Sequence, residues 1–149
     1  MQRARDFGKG LFVLVKTSNP GSGWLQDQQI GNASVSARIA DLVAGWAEET
    51  RADSNIGAVG AVVGATYPAQ GQALRALLPR SVFLAPGLGQ QGGDPAAIAT
   101  LATPTGPVLI SASRGIAAVA DRTIALEDYQ TLLRQRIADF QAAIPALAS

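Results

Sequence analysis

The chain has 149 residues, of which 48% are hydrophobic and 15% are charged, and this composition predicts one globular domain rather than a disordered chain. Its net charge of +1 and its scattered basic residues exclude the electrostatic footprint of a nucleic-acid or anionic-membrane binder, and no apolar run is long enough to span a bilayer. The absence of cysteine and histidine excludes disulfides, thiolate chemistry and the commonest zinc ligand, and it fits a cytoplasmic protein.

The predicted elements alternate between strands and helices along the whole chain. Residues 1–9 have the pattern of a final helical turn, and the apolar run 11–17 predicts a parallel strand that is buried on both faces. A cluster of turn-forming residues then ends this strand at 18–23. Further strands are predicted at 56–63, 83–85 and 108–111, and helices at 34–51, 68–78, 95–102, 116–119 and 126–147. In the last helix Ile137 is predicted to face inward and Arg136 outward. Such alternation indicates a parallel sheet with crossover helices.

Two turns between residues 81 and 115 carry the strongest chemical signal. The first is rich in glycine, and the second holds Arg114 beside Gly115. Glycines let backbone N–H groups approach an anion, a helix that begins after a turn adds its dipole, and a guanidinium supplies a planar fork of donors. In a (β/α)₈ barrel the loops after strands 7 and 8 often form a phosphate site. We therefore predict that these two turns bind one phosphate group.

A dinucleotide site is the alternative interpretation of the first turn. Gly87, Gly89 and Gly92 have the spacing of a Gly-x-Gly-x-x-Gly fingerprint. The fingerprint follows the third predicted strand rather than the first, and no acidic residue lies near Ser111, where a ribose partner is expected. The sequence therefore does not support a dinucleotide site.

Four blocks of the sequence together resemble orotidine 5'-phosphate decarboxylase, in the bacterial subtype that has a Thr-Ser-Asn-Pro loop. They occur in the family's order and at its spacing, in residues 12–22, 60–68, 83–93 and 109–116. The resemblance implies an α/β fold of the (β/α)₈ TIM-barrel family. It implies that residues 1–149 are a single domain, a (β/α)₄ half barrel that corresponds to strands 5 to 8 and so to the C-terminal half of the family.

The resemblance assigns the predicted phosphate site to particular residues. Arg114 matches the family's phosphate-binding arginine, and Gln91 matches the glutamine of a mobile loop over the phosphate, although Gln90 could take that role instead. Gly93 and Gly115 would offer backbone N–H groups to the same phosphate. The alternatives are a surface arginine, a solvated loop glutamine and glycines that only satisfy turn geometry.

The resemblance also implies a pyrimidine-binding turn at Thr17 and Ser18, with a cap or Ser/Thr turn before Pro20 as the alternative. Lys16 is expected to pair with a neighbouring charge rather than to act in catalysis. Trp24 and Trp46 are expected to pack rather than to stack on a ligand. The family needs no metal, and no cofactor is expected.

The family's Asp-x-Lys-x-x-Asp signature is missing from this sequence. The chain has two lysines, Lys9 and Lys16, and the residues two places before them are Phe7 and Leu14. The resemblance therefore implies a fragment of a lyase of UMP biosynthesis that binds OMP or UMP and has no meaningful turnover alone. A non-catalytic nucleotide-binding half barrel and an inactive remnant are the alternatives. Open sheet edges predict a homodimer, or complementation by a separate N-terminal half.

Overall fold

The computed structural model describes residues 1–51, 55–87 and 93–144 of the chain. Four parallel strands form its main sheet in the order β1-β4-β5-β6, and a short antiparallel pair, β2 and β3, forms a second sheet. The helices are α1 (Gln2–Asp6), α2 (Gly23–Gln26), α3 (Val35–Glu49), α4 (Pro68–Leu77), α5 (Pro95–Ala99), α6 (Arg114–Ala117) and α7 (Leu126–Ala142). The strands are β1 (Leu11–Lys16), β2 (Gln29–Ile30), β3 (Ala33–Ser34), β4 (Val59–Val63), β5 (Phe83–Pro86) and β6 (Val108–Ser111).

The predicted alternation of strands and helices is confirmed. The first residues of two helices show the local signals from which helices can be predicted. The Ser34 hydroxyl accepts a hydrogen bond from the Ala37 backbone N–H at 3.2 Å, which caps α3. The Asp94 carboxylate accepts one from the Ala96 backbone N–H at 2.9 Å, and Pro95 occupies the first position of α5. The fold is α/β with a four-stranded parallel sheet, as a half barrel requires.

The main sheet buries one face only, so the prediction that β1 is covered on both faces is wrong. Val15 is fully buried beneath the helices, whereas the alternating residues Phe12 and Leu14 are 45% and 60% exposed. Leu109 on β6 is 51% exposed. It lies on the same face as Leu14, because the parallel register joins Leu14, Val62, Leu84 and Leu109 in one row across the four strands. Side chains alternate between the two faces of a strand. The helices therefore cover the outer face of the sheet and leave the inner face open.

The core lies between the outer face of the sheet and the helices α3 and α4. Its fully buried members come from alternate positions of the strands, from one face of α3 and from the end of α4: Val15, Val43, Val59, Ala61, Val63, Leu78 and Phe83. Gly57 permits this packing, because a Cβ there would lie within 2.7 Å of the Ala47 backbone on α3. A Cβ at Gly60 would instead meet the Phe12 ring at 2.5 Å and the Val82 carbonyl oxygen at 2.6 Å. The glycines before and within β4 therefore reflect the close approach of α3, of the Phe12 ring and of the residue before β5.

Several element bounds differ from the predictions. Strand β4 begins at Val59 rather than at residue 56, and α5 and α7 end at Ala99 and Ala142. The short β2–β3 hairpin was not predicted at all, since two-residue strands leave no periodic signal. In α7 the predicted facing of two residues is wrong: Ile137 is 42% exposed, while Arg136 is half-buried and donates hydrogen bonds.

Candidate nucleotide site at the carboxyl edge of the sheet

The predicted binding turns all lie at one edge of the main sheet. Thr17 directly follows β1, Gly93 belongs to the connection between β5 and α5, and Arg114 and Gly115 begin α6 just after β6. Because the four strands are parallel, their carboxyl ends meet at the same edge. In (β/α)₈ barrels, binding and catalytic residues come from the carboxyl ends of the strands and the loops that follow them. Gln91 and Gln90 lie outside the described residues.

Arg114 presents an exposed side chain at this edge. Within residues 1–51, 55–87 and 93–144, its guanidinium has no ion pair or hydrogen bond to another side chain. Its helix is held in place from α7: Arg136 donates to the backbone oxygens of Ile116 and Ala118 at 3.0 and 2.6 Å, and the Tyr129 hydroxyl donates to that of Ala117 at 2.9 Å. The arginine is therefore available to an anion on a turn that α7 fixes.

Arg136 and Tyr129 are functional candidates that sequence reasoning missed. Both lie on the amphipathic helix α7, where a charged or aromatic residue at a surface position is ordinary. Their contacts to α6 are long-range in sequence, so no local spacing could have signalled them.

The two glycines of the predicted phosphate site differ in their surroundings. The Gly93 N–H donates to the Gly87 carbonyl at 3.2 Å, and a Cβ on Gly93 would lie 2.6 Å from the Cβ of Ala65. Gly87 has a φ of +106°, a conformation that favours glycine. A Cβ at Gly115, in contrast, would meet nothing within 4 Å. The site therefore has open space beside Gly115, while Gly93 packs closely against the loop after β4.

The Thr17–Ser18 turn lies at the other end of the same edge, three strands from β6. Gln26 Oε1 accepts hydrogen bonds from the Thr17 backbone N–H at 3.0 Å and from its hydroxyl at 3.3 Å. The Ser18 carbonyl accepts from the Thr66 hydroxyl at 3.2 Å, which ties this turn to the loop after β4. The turn is thus held by neighbours on both sides.

Lys16, at the end of β1, is a buried cation with a partner, as predicted. Its side chain is 1% exposed, and its Nζ lies 2.8 Å from Asp27 Oδ1 and 4.7 Å from the centre of the Tyr67 ring. The hydrogen bond from Lys16 lowers the pKa of Asp27 below its usual value of 3.8. Asp27 is therefore ionised at neutral pH, where it offsets the buried charge of Lys16.

The expectation of packing is wrong for Trp24, whose side chain is 82% exposed, and it is confirmed for Trp46, which packs against the core. In the part of the chain that the structure describes, no three acidic side chains come together to hold a metal ion. None of the described helices has the length and apolar character that crossing a membrane requires.

Comparison with known proteins supports the family assignment. No family model matches the sequence. The chain is 48% identical over 85 residues to the orotidine 5'-phosphate decarboxylase of Rhodopirellula baltica, an alignment that covers 57% of the chain and 28% of that protein. It is 42% identical over 110 residues to the decarboxylase of Paracidovorax citrulli, with 73% of the chain and 39% of that protein covered.

A solved structure agrees with these sequence matches. The OMP decarboxylase of Leishmania donovani superimposes with a TM-score of 0.59 and 30% identity, over 91% of this chain and 48% of that one. The chain thus spans well under half the length of the curated relatives that it matches. In sequence and in fold it matches a part of the orotidine 5'-phosphate decarboxylases, as its four motif blocks indicated.

Proposed function

We propose that this chain is the nucleotide-binding part of an orotidine 5'-phosphate decarboxylase. In this proposal Arg114 binds the phosphate of OMP or UMP, with backbone donors from Gly115 and Gly93, while the Thr17–Ser18 turn binds the pyrimidine. The observation that carries it is the guanidinium of Arg114, which is exposed and has no side-chain partner among the described residues, at the same sheet edge as that turn. The Gly93 N–H would exchange its bond to Gly87 for one to the phosphate. The proposal includes a cytoplasmic location.

The chain alone is proposed to lack decarboxylase activity, because neither lysine is placed to protonate a product carbon. Lys9 is exposed and precedes β1, so it lies at the amino edge, opposite the candidate site. Lys16 is buried and its ammonium is committed to Asp27. An assay for conversion of OMP to UMP by the purified chain is expected to show no turnover above background, and clear turnover would contradict this part of the proposal.

Calorimetric titration with UMP tests the proposed binding site. The wild-type chain is expected to bind, and Arg114→Ala is expected to weaken binding by about 10- to 100-fold, the loss typical of a charge-assisted hydrogen bond. Arg134→Ala is the matched control, because Arg134 is an exposed arginine on α7 with no side-chain partner in the described part of the chain. An equal loss in both variants would contradict the assignment of Arg114. Absence of binding by the wild type would favour the inactive remnant.

The open inner face of the sheet supports the proposal that another chain covers it. Phe12, Leu14 and Leu109 expose 45%, 60% and 51% of their surface there, and parallel sheets are ordinarily covered on both faces. We propose that a second copy of the chain, or a separate N-terminal half, covers this face. Light scattering after size exclusion is expected to give a mass above the 15.3 kDa of the single chain. A monodisperse monomer would exclude the homodimer, and addition of an N-terminal half would then test complementation.

A further inference from the structure

Helix α7 contacts the rest of the chain along one half-buried face. Tyr129, Arg136 and Phe140 lie on this face, since their spacings of seven and four residues place side chains on one side of a helix. None of the 17 residues of α7 is fully buried. The polar contacts of this face are therefore important for joining α7 to its neighbours.

The turn that begins with Arg114 accepts hydrogen bonds from this face through three consecutive backbone oxygens, those of Ile116, Ala117 and Ala118. Arg136 Nη1 donates to the first and third of these oxygens, at 3.0 and 2.6 Å, and the Tyr129 hydroxyl donates to the second at 2.9 Å. A helix leaves its last four carbonyls without an intrahelical partner, and α6 has only four residues. Tyr129 and Arg136 thus supply donors that α6 itself lacks, and we call these two residues the α7 clamp.

A second contact of α7 involves the elements around the other predicted phosphate-binding turn. Phe140 packs against a buried cluster of Ala65, Ala85 and Ile98. Ile98 belongs to α5, which follows the Gly93 connection, and Ala65 is the residue whose Cβ would lie 2.6 Å from a Cβ on Gly93. One helix therefore supports the connections after β5 and β6 together.

The position of the Arg114 guanidinium depends on the backbone of α6. The side chain is exposed, and within the described residues it has no side-chain hydrogen bond or ion pair that would hold it in place. A helix of four residues is not stable in isolation, so contacts with the rest of the fold must maintain α6. Among the described elements, α6 makes its most extensive contact with α7. The α7 clamp therefore fixes the backbone from which Arg114 extends.

We propose that the α7 clamp positions Arg114 for a phosphate monoester, with Tyr129 and Arg136 as positioning residues. This inference rests on the proposed nucleotide-binding function. It extends that function to a helix outside the four sequence blocks of the family resemblance, the last of which ends at residue 116. The α7 clamp acts through Arg114 and does not itself bind the ligand.

A double-mutant cycle with Arg114 tests the positioning role, with UMP affinity measured by NMR titration of the full chain. Arg136→Met is expected to weaken UMP binding by about tenfold, a coupling within the range found for residues of one hydrogen-bond network. In the Arg114→Ala background the same change should cause no further loss, because the α7 clamp acts through that arginine. Affinity for uridine, which has the ring and no phosphate, should be unchanged. Equal losses in both backgrounds would overturn the inference, since independent effects add.

Two conservative variants and one control separate the α7 clamp from the helix that carries it. Arg136→Lys is expected to retain most of the UMP affinity, because both bonds come from one nitrogen that an ammonium can replace. Tyr129→Phe removes one hydroxyl and is expected to weaken UMP binding by about two- to fivefold. Arg134→Met is the matched control at an exposed position of α7 and should bind as wild type does. An Arg136→Lys chain that binds UMP as weakly as Arg136→Met would count against the hydrogen bonds as the cause.

A measurement without ligand reports on the α7 clamp directly. The heteronuclear NOE of the Gly115 N–H follows backbone motion on the ps–ns timescale, and Arg136→Met is expected to lower it. The value for Gly45 on α3 should not change. An unchanged NOE at Gly115 would overturn the inference. If Gly115 becomes more mobile as expected while the wild-type chain binds neither UMP nor inorganic phosphate, the proposed function fails instead.

Discussion

Replacing Arg75 with methionine is expected to lower the free energy of unfolding by about 3 kcal/mol or more, because several charge-assisted hydrogen bonds are lost together. Arg75 lies on α4 with 7% of its surface exposed, and its guanidinium faces backbone carbonyls rather than a carboxylate. Nε donates to Leu101 O at 2.8 Å, and Nη1 donates to Leu78 O and Ser81 O at 2.8 and 2.7 Å. The variant would remove the guanidinium donors from all three oxygens and leave Leu78 O with only its 3.4 Å bond from the Ser81 N–H.

The charge of Arg75 persists despite its burial. Burial lowers the pKa of Arg75 to about 10, so the side chain is still protonated at neutral pH. The guanidinium also lies 3.5 Å from the centre of the Phe83 ring, which adds a cation–π contact. One side chain therefore joins α4, the segment before β5 and the end of the α5 region.

Thermal unfolding checks this prediction. A loss of about 3 kcal/mol corresponds to a fall in Tm of roughly 6–12 °C for a domain of this size. Arg75→Lys is expected to be destabilised as well, because an ammonium cannot reproduce the planar fork of donors. Arg80→Met is the control, since Arg80 is exposed and its side chain has no described partner. A Tm within 2 °C of wild type for Arg75→Met, taking about 1 kcal/mol as the limit, would refute the structural role.

The second large effect is expected from Gly64→Ala. A Cβ at Gly64 would lie 2.6 Å from the backbone nitrogen of Ser18 and 2.7 Å from its Cα, and neither atom can move without displacing the chain after β1. The Gly64 N–H also donates to the Lys16 carbonyl at 2.7 Å, so the two loops are joined at this point. We expect a loss of about 1–3 kcal/mol in stability from overpacking.

Displacement of Ser18 gives Gly64→Ala a second consequence. Under the proposed function, UMP affinity should fall by about tenfold or more, the cost of one misplaced hydrogen bond. Gly45→Ala is the control, because a Cβ at Gly45 on α3 meets nothing within 4 Å. That variant should gain about 0.5–1 kcal/mol from helix propensity and bind UMP normally. A Gly64→Ala chain that binds UMP as tightly as wild type would show that the turn after β1 does not read the ring.

The order of strands and helices was predictable because helix caps, apolar runs and turn-forming clusters mark the same element boundaries in this chain. Ser34 and Asp94 cap helices, and apolar runs of four to six residues stand between turn-forming clusters. The exposure of Phe12 and Leu14 does not follow from the apolar run itself, since an apolar run indicates burial but does not say whether a covering layer is present. The same limit applies to Arg136, which was predicted to face outward although it donates to backbone oxygens about 20 residues away.

The amino-acid sequence by itself determined that this chain is an α/β protein with parallel strands, that its motifs are those of a decarboxylase, and that the lysine signature is missing. These properties depend on residue identity and short-range spacing. The tertiary structure alone decided which side chains meet: that Lys16 pairs with Asp27, and that Gln26 accepts from both donors of Thr17. Such contacts depend on crossover geometry, which places residues from separate elements within hydrogen-bond distance.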